Sequence, residues 1–302
     1  MNLLITGAWQ GAQENIEQIK KMGHEVLFCQ YEKDELPCEY EWADGVICNG
    51  LFLYHPIERF TNLKYIQLTS AGFDRVPMEY IKEHNITIHN ARGVYSIPMA
   101  EYAVCGVLDI YKKAAYFRQN QQERKWEKNR SLRELFGKTV CIVGCGSVGT
   151  ECAKRFQAFG CRVLGIATSN RNQIFFDEVR SVIQFDDTLM QSDVIILAVP
   201  LTEATRNLID KRRLALMKKE AVLINISRGG IIEEEALETV LKEHLISGAV
   251  LDVFQEEPLA EDSPLWKYDN VIISPHNSFV GEMNSYRLQN IISCNLENYI
   301  KS

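Results

Sequence analysis

What this 302-residue chain has little of narrows its function before any motif is considered. Positive charge is in deficit: 33 Lys and Arg stand against 40 Asp and Glu, for a net charge of −7 and a pI near 5.5. Binding a phosphate backbone needs an excess of cations, so nucleic acid is not expected as a partner. The one basic run (Arg118, Arg124, Lys125, Lys128, Arg130, Arg133) is interleaved with Glu123, Glu127 and Glu134 and reads as a solvated helical face or loop. No two of the nine cysteines are spaced C-x-x-C, and Cys29 and Cys141 sit in apolar runs, where a thiol behaves as a small hydrophobe. Reduced core thiols are therefore expected, rather than a disulfide framework or a metal site. No apolar run approaches membrane-spanning length, and "MNLLITGAWQG" leads into a strand-like pattern without a basic start. A cytoplasmic protein with no membrane partner is expected. Low-complexity segments and short-period repeats are also missing.

What is present is an ordinary globular composition, 46% hydrophobic and 24% charged with a mean hydropathy of −0.16, in a chain long enough for two domains. Short apolar runs alternate with helix-length amphipathic segments, the pattern of parallel sheets joined by crossover helices. "NLLITG", "EVLFCQ", "ADGVICN", "LKYIQLTS" and "ITIHN" read as strands, with "GAQENIEQIKKMG" as a helix after the first. This unit ends near residue 90. A long helical connection, "SIPMAEYAVCGVLDIYKKAAYFRQNQQ", leads to a second set of strands: "KTVCIVG", "CRVLGIA", "SVIQF", "DVIILAVP", "AVLINIS", "GAVLDVF" and "VIISP". Between them "EATRNLIDKRRLALM" and "EEEALETVLKEH" read as helices. The last stretch, "VGEMNSYRLQNIISCNLENYIKS", has apolar residues at helical spacing and can rejoin the first unit, which would make the two chain crossings a hinge.

The second unit carries G-x-G-x-x-G, with Gly144, Gly146 and Gly149 directly after the strand "KTVCIV" and opening the helical "TECAKRFQAFG". In that context the first glycine permits a tight turn, the second admits a pyrophosphate, and the third lets helix and strand pack closely. Ser147 and Val148 lie in the same turn, where the helix N-terminus supplies partial positive charge. The expected acid is missing. About twenty residues on, where a carboxylate grips the adenosine ribose, stands Ala167, followed by Thr168, Ser169, Asn170 and Arg171. Without that carboxylate nothing repels a 2′-phosphate, and Thr168, Ser169 and Arg171 offer hydroxyls and a guanidinium to bind one. NADP(H) is therefore expected in preference to NAD. The alternative is a polar turn that happens to contain an arginine.

Three further stretches place polar groups at strand ends, where open parallel sheets hold their ligands. Arg228 lies in "NISRGG", Asp252 and Glu257 in "LDVFQEEPL", and His276 in "VIISPHNSF". With "LTSAGFDRVP", "NARGVYSIPMAEYAV", "GKTVCIVGCGSVG" and "VPLTEATRNLID", this ordered series resembles the D-isomer-specific 2-hydroxyacid dehydrogenases from about residue 60 to 280. The resemblance implies an α/β fold of two doubly wound parallel-sheet domains. A flavodoxin-like substrate domain (1–95 plus 281–302) and a Rossmann cofactor domain (96–280) would have the active-site cleft between them. Arg228 would clamp the substrate carboxylate and polarise its 2-oxo group. His276 would be the general acid, and Glu257 would orient it and favour its imidazolium form. The N–H groups of Ala71 and Gly72 would hold the carboxylate, Asp252 would contact the nicotinamide carboxamide, and Pro200, Thr205 and Ile226 would line the cofactor channel.

The implied activity is reduction of a small 2-oxo acid to the D-2-hydroxy acid, of the glyoxylate or hydroxypyruvate type, in a homodimer formed through the cofactor domain. Departures from the family pattern are Ala167, which puts NAD in question, and Asn277 and Phe279 after the histidine, which bear on substrate choice. The alternatives are an NAD-linked dehydrogenase of another 2-hydroxy acid, such as 3-phosphoglycerate, and a nucleotide-sensing, corepressor-like protein. His24, His55, His84, His89 and His244 read as surface histidines, with His55 in "NGLFLYHP" alternatively facing the cleft from the first domain.

Overall fold

The computed structural model describes residues 1–168 and 173–301. The chain divides into two compact units, Met1–Tyr95 with Gly281–Ser302, and Ser96–Val280. In the first unit, β1 (Asn2–Thr6) leads through helix α1 (Ala12–Lys21) to β2 (Glu25–Cys29), followed by β3 (Gly45–Cys48) and β4 (Tyr65–Leu68). Helix α2 (Met78–Glu83) then precedes β5 (Thr87–His89). The sheet order is β2-β1-β3-β4-β5 with every pair parallel.

The second unit starts with helices α3 (Ser96–Tyr111) and α4 (Ala114–Gln122), and then winds β6 (Thr139–Val143), α5 (Ser147–Ala158), β7 (Arg162–Ala167) and β8 (Glu178–Ser181). Helix α6 (Phe185–Gln191), β9 (Val194–Leu197), α7 (Lys211–Leu216), β10 (Val222–Asn225), α8 (Glu234–Lys242), β11 (Gly248–Leu251) and β12 (Val271–Ile273) complete it. Its parallel sheet has the order β12-β11-β10-β9-β6-β7-β8. The strands that read as unbroken apolar runs are the central ones: β9, β10 and β11 are buried at every residue, as are β3 and β4 in the other sheet. A parallel strand covered by helices on both faces has no solvent side to make polar.

The C-terminal helix α9 (Asn284–Lys301) belongs to the first unit. Its Leu288, Ile292 and Leu296 pack with Leu3, Ile5 and Tyr65. Its Asn295 amide donates to the buried Gln67 side chain of β4 at 2.8 Å, so a polar group inside the sheet is satisfied by the helix that covers it.

Three segments differ from the sequence reading. "SVIQF" is not a strand. Only Ser181 ends β8; Gln184 accepts from the Ser181 N–H in a capping box, which turns Val182–Gln184 into a 3-10 helix with Ile183 exposed. "EATRNLIDKRRLALM" is helical only over α7. Asn207 is left-handed (φ 49), Ile209 bridges to Ile232, and Asp210 caps the helix by accepting from the Arg213 N–H at 2.8 Å. The long connection breaks into α3 and α4 at Lys113, also left-handed (φ 52).

Two histidines expected at the surface are buried. His55 is bonded through Nδ1 to the Tyr40 hydroxyl at 3.0 Å. His24 has no hydrogen-bond partner for either ring nitrogen among the described residues, and burial lowers its pKa. The switch point of the first sheet, where the carboxyl ends of β1 and β3 part company, is occupied by a side chain of the protein. The Glu32 carboxylate accepts from the Thr6 hydroxyl (2.9 Å), the Asn49 N–H (2.6 Å) and the Gly50 N–H (2.7 Å).

Candidate active site

Strand order in the second sheet reverses between β6 and β9, and a crevice outside the carboxyl ends of such strands is where a doubly wound sheet takes its ligand. The glycine turn lies there. Gly144 follows β6 with φ +100, a conformation that side-chain-bearing residues seldom adopt, and its N–H bonds the Ile166 carbonyl. A Cβ on Gly149 would lie 2.0 Å from the Gly144 carbonyl oxygen, so the first turn of α5 can approach the strand only with glycine there. A Cβ on Gly146 would meet nothing within 4 Å. Its missing side chain leaves space beside the first N–H groups of α5, at Ser147, Val148 and Gly149, which have no acceptor within the helix. Open space at the second glycine, next to the positive end of a helix, is what a pyrophosphate requires. The residues present therefore fit a dinucleotide.

Ala167 ends β7, paired with Ser181 of β8, and Thr168 beyond it is exposed. Ser169 and Arg171, the other groups expected to take a 2′-phosphate, lie outside the described residues. In the loop after β9, the Thr205 hydroxyl donates to the Pro200 carbonyl at 2.7 Å and accepts from the Thr202 N–H at 2.7 Å, which ties the loop at the sheet edge. Ile226, expected to line the cofactor channel, follows β10. Its side chain belongs to the core of the unit.

The adjacent strands β10, β11 and β12 deliver the three groups singled out from the sequence. Arg228 follows β10 in a loop shaped by Asn225. The Asn225 amide donates to the Arg228 carbonyl (2.9 Å) and accepts from the Ser227 N–H (3.2 Å) and hydroxyl (2.9 Å). One guanidinium nitrogen of Arg228 donates to the Ser227 carbonyl at 2.7 Å. Next to it, a Cβ on Gly229 would fall 1.9 Å from the carbonyl carbon of Phe254, so the Arg228 loop packs tightly on the loop after β11. In that loop, Glu257 accepts from the Phe254 N–H at 3.1 Å through one oxygen and holds Nδ1 of His276 at 2.8 Å through the other. The imidazole and carboxylate are both partly open to solvent. An imidazole held at Nδ1 by a carboxylate has its Nε2 directed away from that partner.

Asp252, expected to contact nicotinamide, also has a structural job. Its carboxylate is completely buried and accepts from the Ser274 hydroxyl, the Asn277 N–H (2.7 Å) and the Ser278 N–H (3.0 and 3.1 Å). All of these contacts go to the turn that carries His276. Asn225, Ser274 and the amides of Asn277 and Ser278 were not anticipated. The one readable sign was a polar residue, Asn225, ending the apolar run "VLIN".

In the first unit, Ala71 and Gly72 follow β4. Their carbonyls accept from the Asn90 amide (2.6 Å) and the Ser70 hydroxyl (3.1 Å), which fixes the orientation of this segment. Among the described residues there is no group of three or more His, Cys, Asp or Glu able to hold a metal ion, and no helix long and apolar enough to cross a membrane.

Comparison with known proteins gives one consistent result. Residues 104–278 match the family described as D-isomer specific 2-hydroxyacid dehydrogenase, NAD binding domain. A D-3-phosphoglycerate dehydrogenase of Methanocaldococcus jannaschii is 36% identical over 268 residues, which cover 87% of this chain and 51% of that protein. A glyoxylate reductase of Thermofilum pendens is 37% identical over 223 residues, 71% of this chain and 65% of that protein. The chain thus spans between half and two thirds of these relatives' length. Among solved structures, a D-isomer specific 2-hydroxyacid dehydrogenase family protein of Aeromonas salmonicida superimposes with a TM-score of 0.83 at 28% identity, covering 99% of this chain and 96% of that one.

Proposed function

Because the chain belongs to the D-isomer specific 2-hydroxyacid dehydrogenase family, we propose that it reduces a small 2-oxo acid of the glyoxylate or hydroxypyruvate type to the D-2-hydroxy acid. The observation that carries this reading is the 2.8 Å contact between His276 and Glu257 at the carboxyl edge of the same sheet as the glycine turn. The unit Ser96–Val280 binds the nicotinamide cofactor, and the unit Met1–Tyr95 with Gly281–Ser302 contributes to the substrate site.

A dinucleotide held through its pyrophosphate at Gly144–Gly149 would supply hydride to the 2-oxo carbon from its nicotinamide ring. Arg228 binds the substrate carboxylate and polarises the carbonyl, with the N–H groups of Ala71 and Gly72 as further donors to the carboxylate. His276 delivers the proton to the oxygen from Nε2, while Glu257 holds the ring at Nδ1. NADPH is preferred to NADH, a reading supported by Ala167 at the end of β7 in place of an acid. The protein works as a homodimer in the cytoplasm.

The test is a panel of 2-oxo acids, including a phosphorylated one, assayed with NADPH and NADH in parallel for the wild type, Arg228→Ala and His276→Ala. Both variants are expected to lose turnover while keeping cofactor binding. Wild-type rates in either variant, or no turnover of any 2-oxo acid, would overturn the reading.

A further inference from the structure

The turn that carries His276 is held from beneath by a chain of groups that ends on a different helix. His276 is left-handed (φ 50), a conformation a non-glycine residue keeps only when its surroundings enforce it. Its own N–H bonds the Asp252 carbonyl (2.8 Å), and the next two N–H groups bond the Asp252 carboxylate. Oδ1 of that carboxylate also accepts from the Ser274 hydroxyl at 2.5 Å. Serine has one hydroxyl proton; once it is given to Asp252, the Ser274 oxygen can only accept from its other neighbour, the Tyr102 phenol on α3, also 2.5 Å away. The direction of every bond is therefore determined, from Tyr102 through Ser274 to Asp252.

We propose that Tyr102 is a positioning residue for His276, acting through Ser274 and Asp252 on the backbone of the histidine's turn. The inference rests on the assignment of His276 as the proton donor. Glu257 holds the imidazole ring, and the Tyr102 chain holds the peptide on which the ring stands. Loss of the phenol frees the Ser274 hydroxyl to rotate, which removes one of the donors that keep Asp252 aimed at the amides of Asn277 and Ser278. Burial and the nearby Asp252 charge both raise the Tyr102 pKa, so the phenol stays protonated and remains a donor.

Tyr102→Phe removes only the hydroxyl and is the variant to measure, by amide hydrogen exchange and by steady-state kinetics on the full chain. Exchange of the Asn277 and Ser278 amides is expected to accelerate about tenfold, and kcat to fall about tenfold with the cofactor KM unchanged. Ser274→Ala is expected to reproduce both effects, and Ser274→Thr, which keeps a hydroxyl, to show neither. Unchanged exchange at Asn277 and Ser278 in Tyr102→Phe would overturn the inference. Faster exchange with wild-type kcat would also overturn it, as would loss of protection spread evenly over the whole second unit. Exchange does not depend on turnover, so a wild type inactive on every 2-oxo acid would overturn the proposed function by itself, while the exchange result would still decide whether the chain holds the turn.

Discussion

Glu257 Oε2 lies 2.8 Å from His276 Nδ1, while Glu257 Oε1 accepts from the Phe254 N–H. The carboxylate is thus anchored to its own loop before it meets the imidazole, and the ring it orients belongs to a turn after the neighbouring strand. Glu257→Gln keeps the size and one acceptor but loses the negative charge beside Nδ1. The expected result is a fall in kcat of about tenfold to a hundredfold with cofactor affinity unchanged, measured by steady-state kinetics and fluorescence titration.

Gly146 and Gly149 differ in what a methyl group would meet. Gly149→Ala would bring Cβ to 2.0 Å from a backbone carbonyl, so the turn has to move, at a cost of about 1–3 kcal/mol. Gly146→Ala meets no protein atom within 4 Å, so the melting temperature should stay at the wild-type value. Cofactor affinity should fall in both variants, and calorimetry with titration of NADPH separates the two effects.

His24 makes stability depend on pH. Burial lowers its pKa below the ordinary 6.5, so the folded chain prefers the neutral ring. Its contribution is complete above pH 6.5 and is lost as the pH falls below that value, because the unfolded chain then takes up a proton that the folded chain resists. In His24→Leu the fall in melting temperature between about pH 7.5 and pH 5 should be smaller than in the wild type. His89, also lowered by burial, keeps part of the slope.

Arg171→Ala should raise the KM for NADPH about tenfold or more and leave the KM for NADH nearly unchanged, since only NADPH carries the 2′-phosphate. An equal rise for both cofactors would remove Arg171 from the recognition of that phosphate.

The central strands and the glycine turn were legible because their causes are local. A strand buried on both faces has to be continuously apolar, and a strand-to-helix turn around a pyrophosphate needs glycines at fixed spacing. "SVIQF" misled because Val182 and Ile183 have strand propensity but stand exposed; the S-x-x-Q of Ser181 and Gln184 was the better signal. The burial of His24 and His55 and the bonds of Asp252 depend on residues brought together by the fold. Tyr102 and Ser274 are 172 positions apart, and no local pattern links them.

Glu32 has a thermodynamic consequence. The first sheet supplies its own anion to the amides of Asn49 and Gly50, whereas the second leaves the space at Gly146 to a molecule from outside. The two units are therefore linked differently to the concentration of small molecules around them. Saturation with a dinucleotide is expected to stabilise the second unit directly, by RT ln(1 + [L]/Kd), so its melting temperature should rise with cofactor concentration.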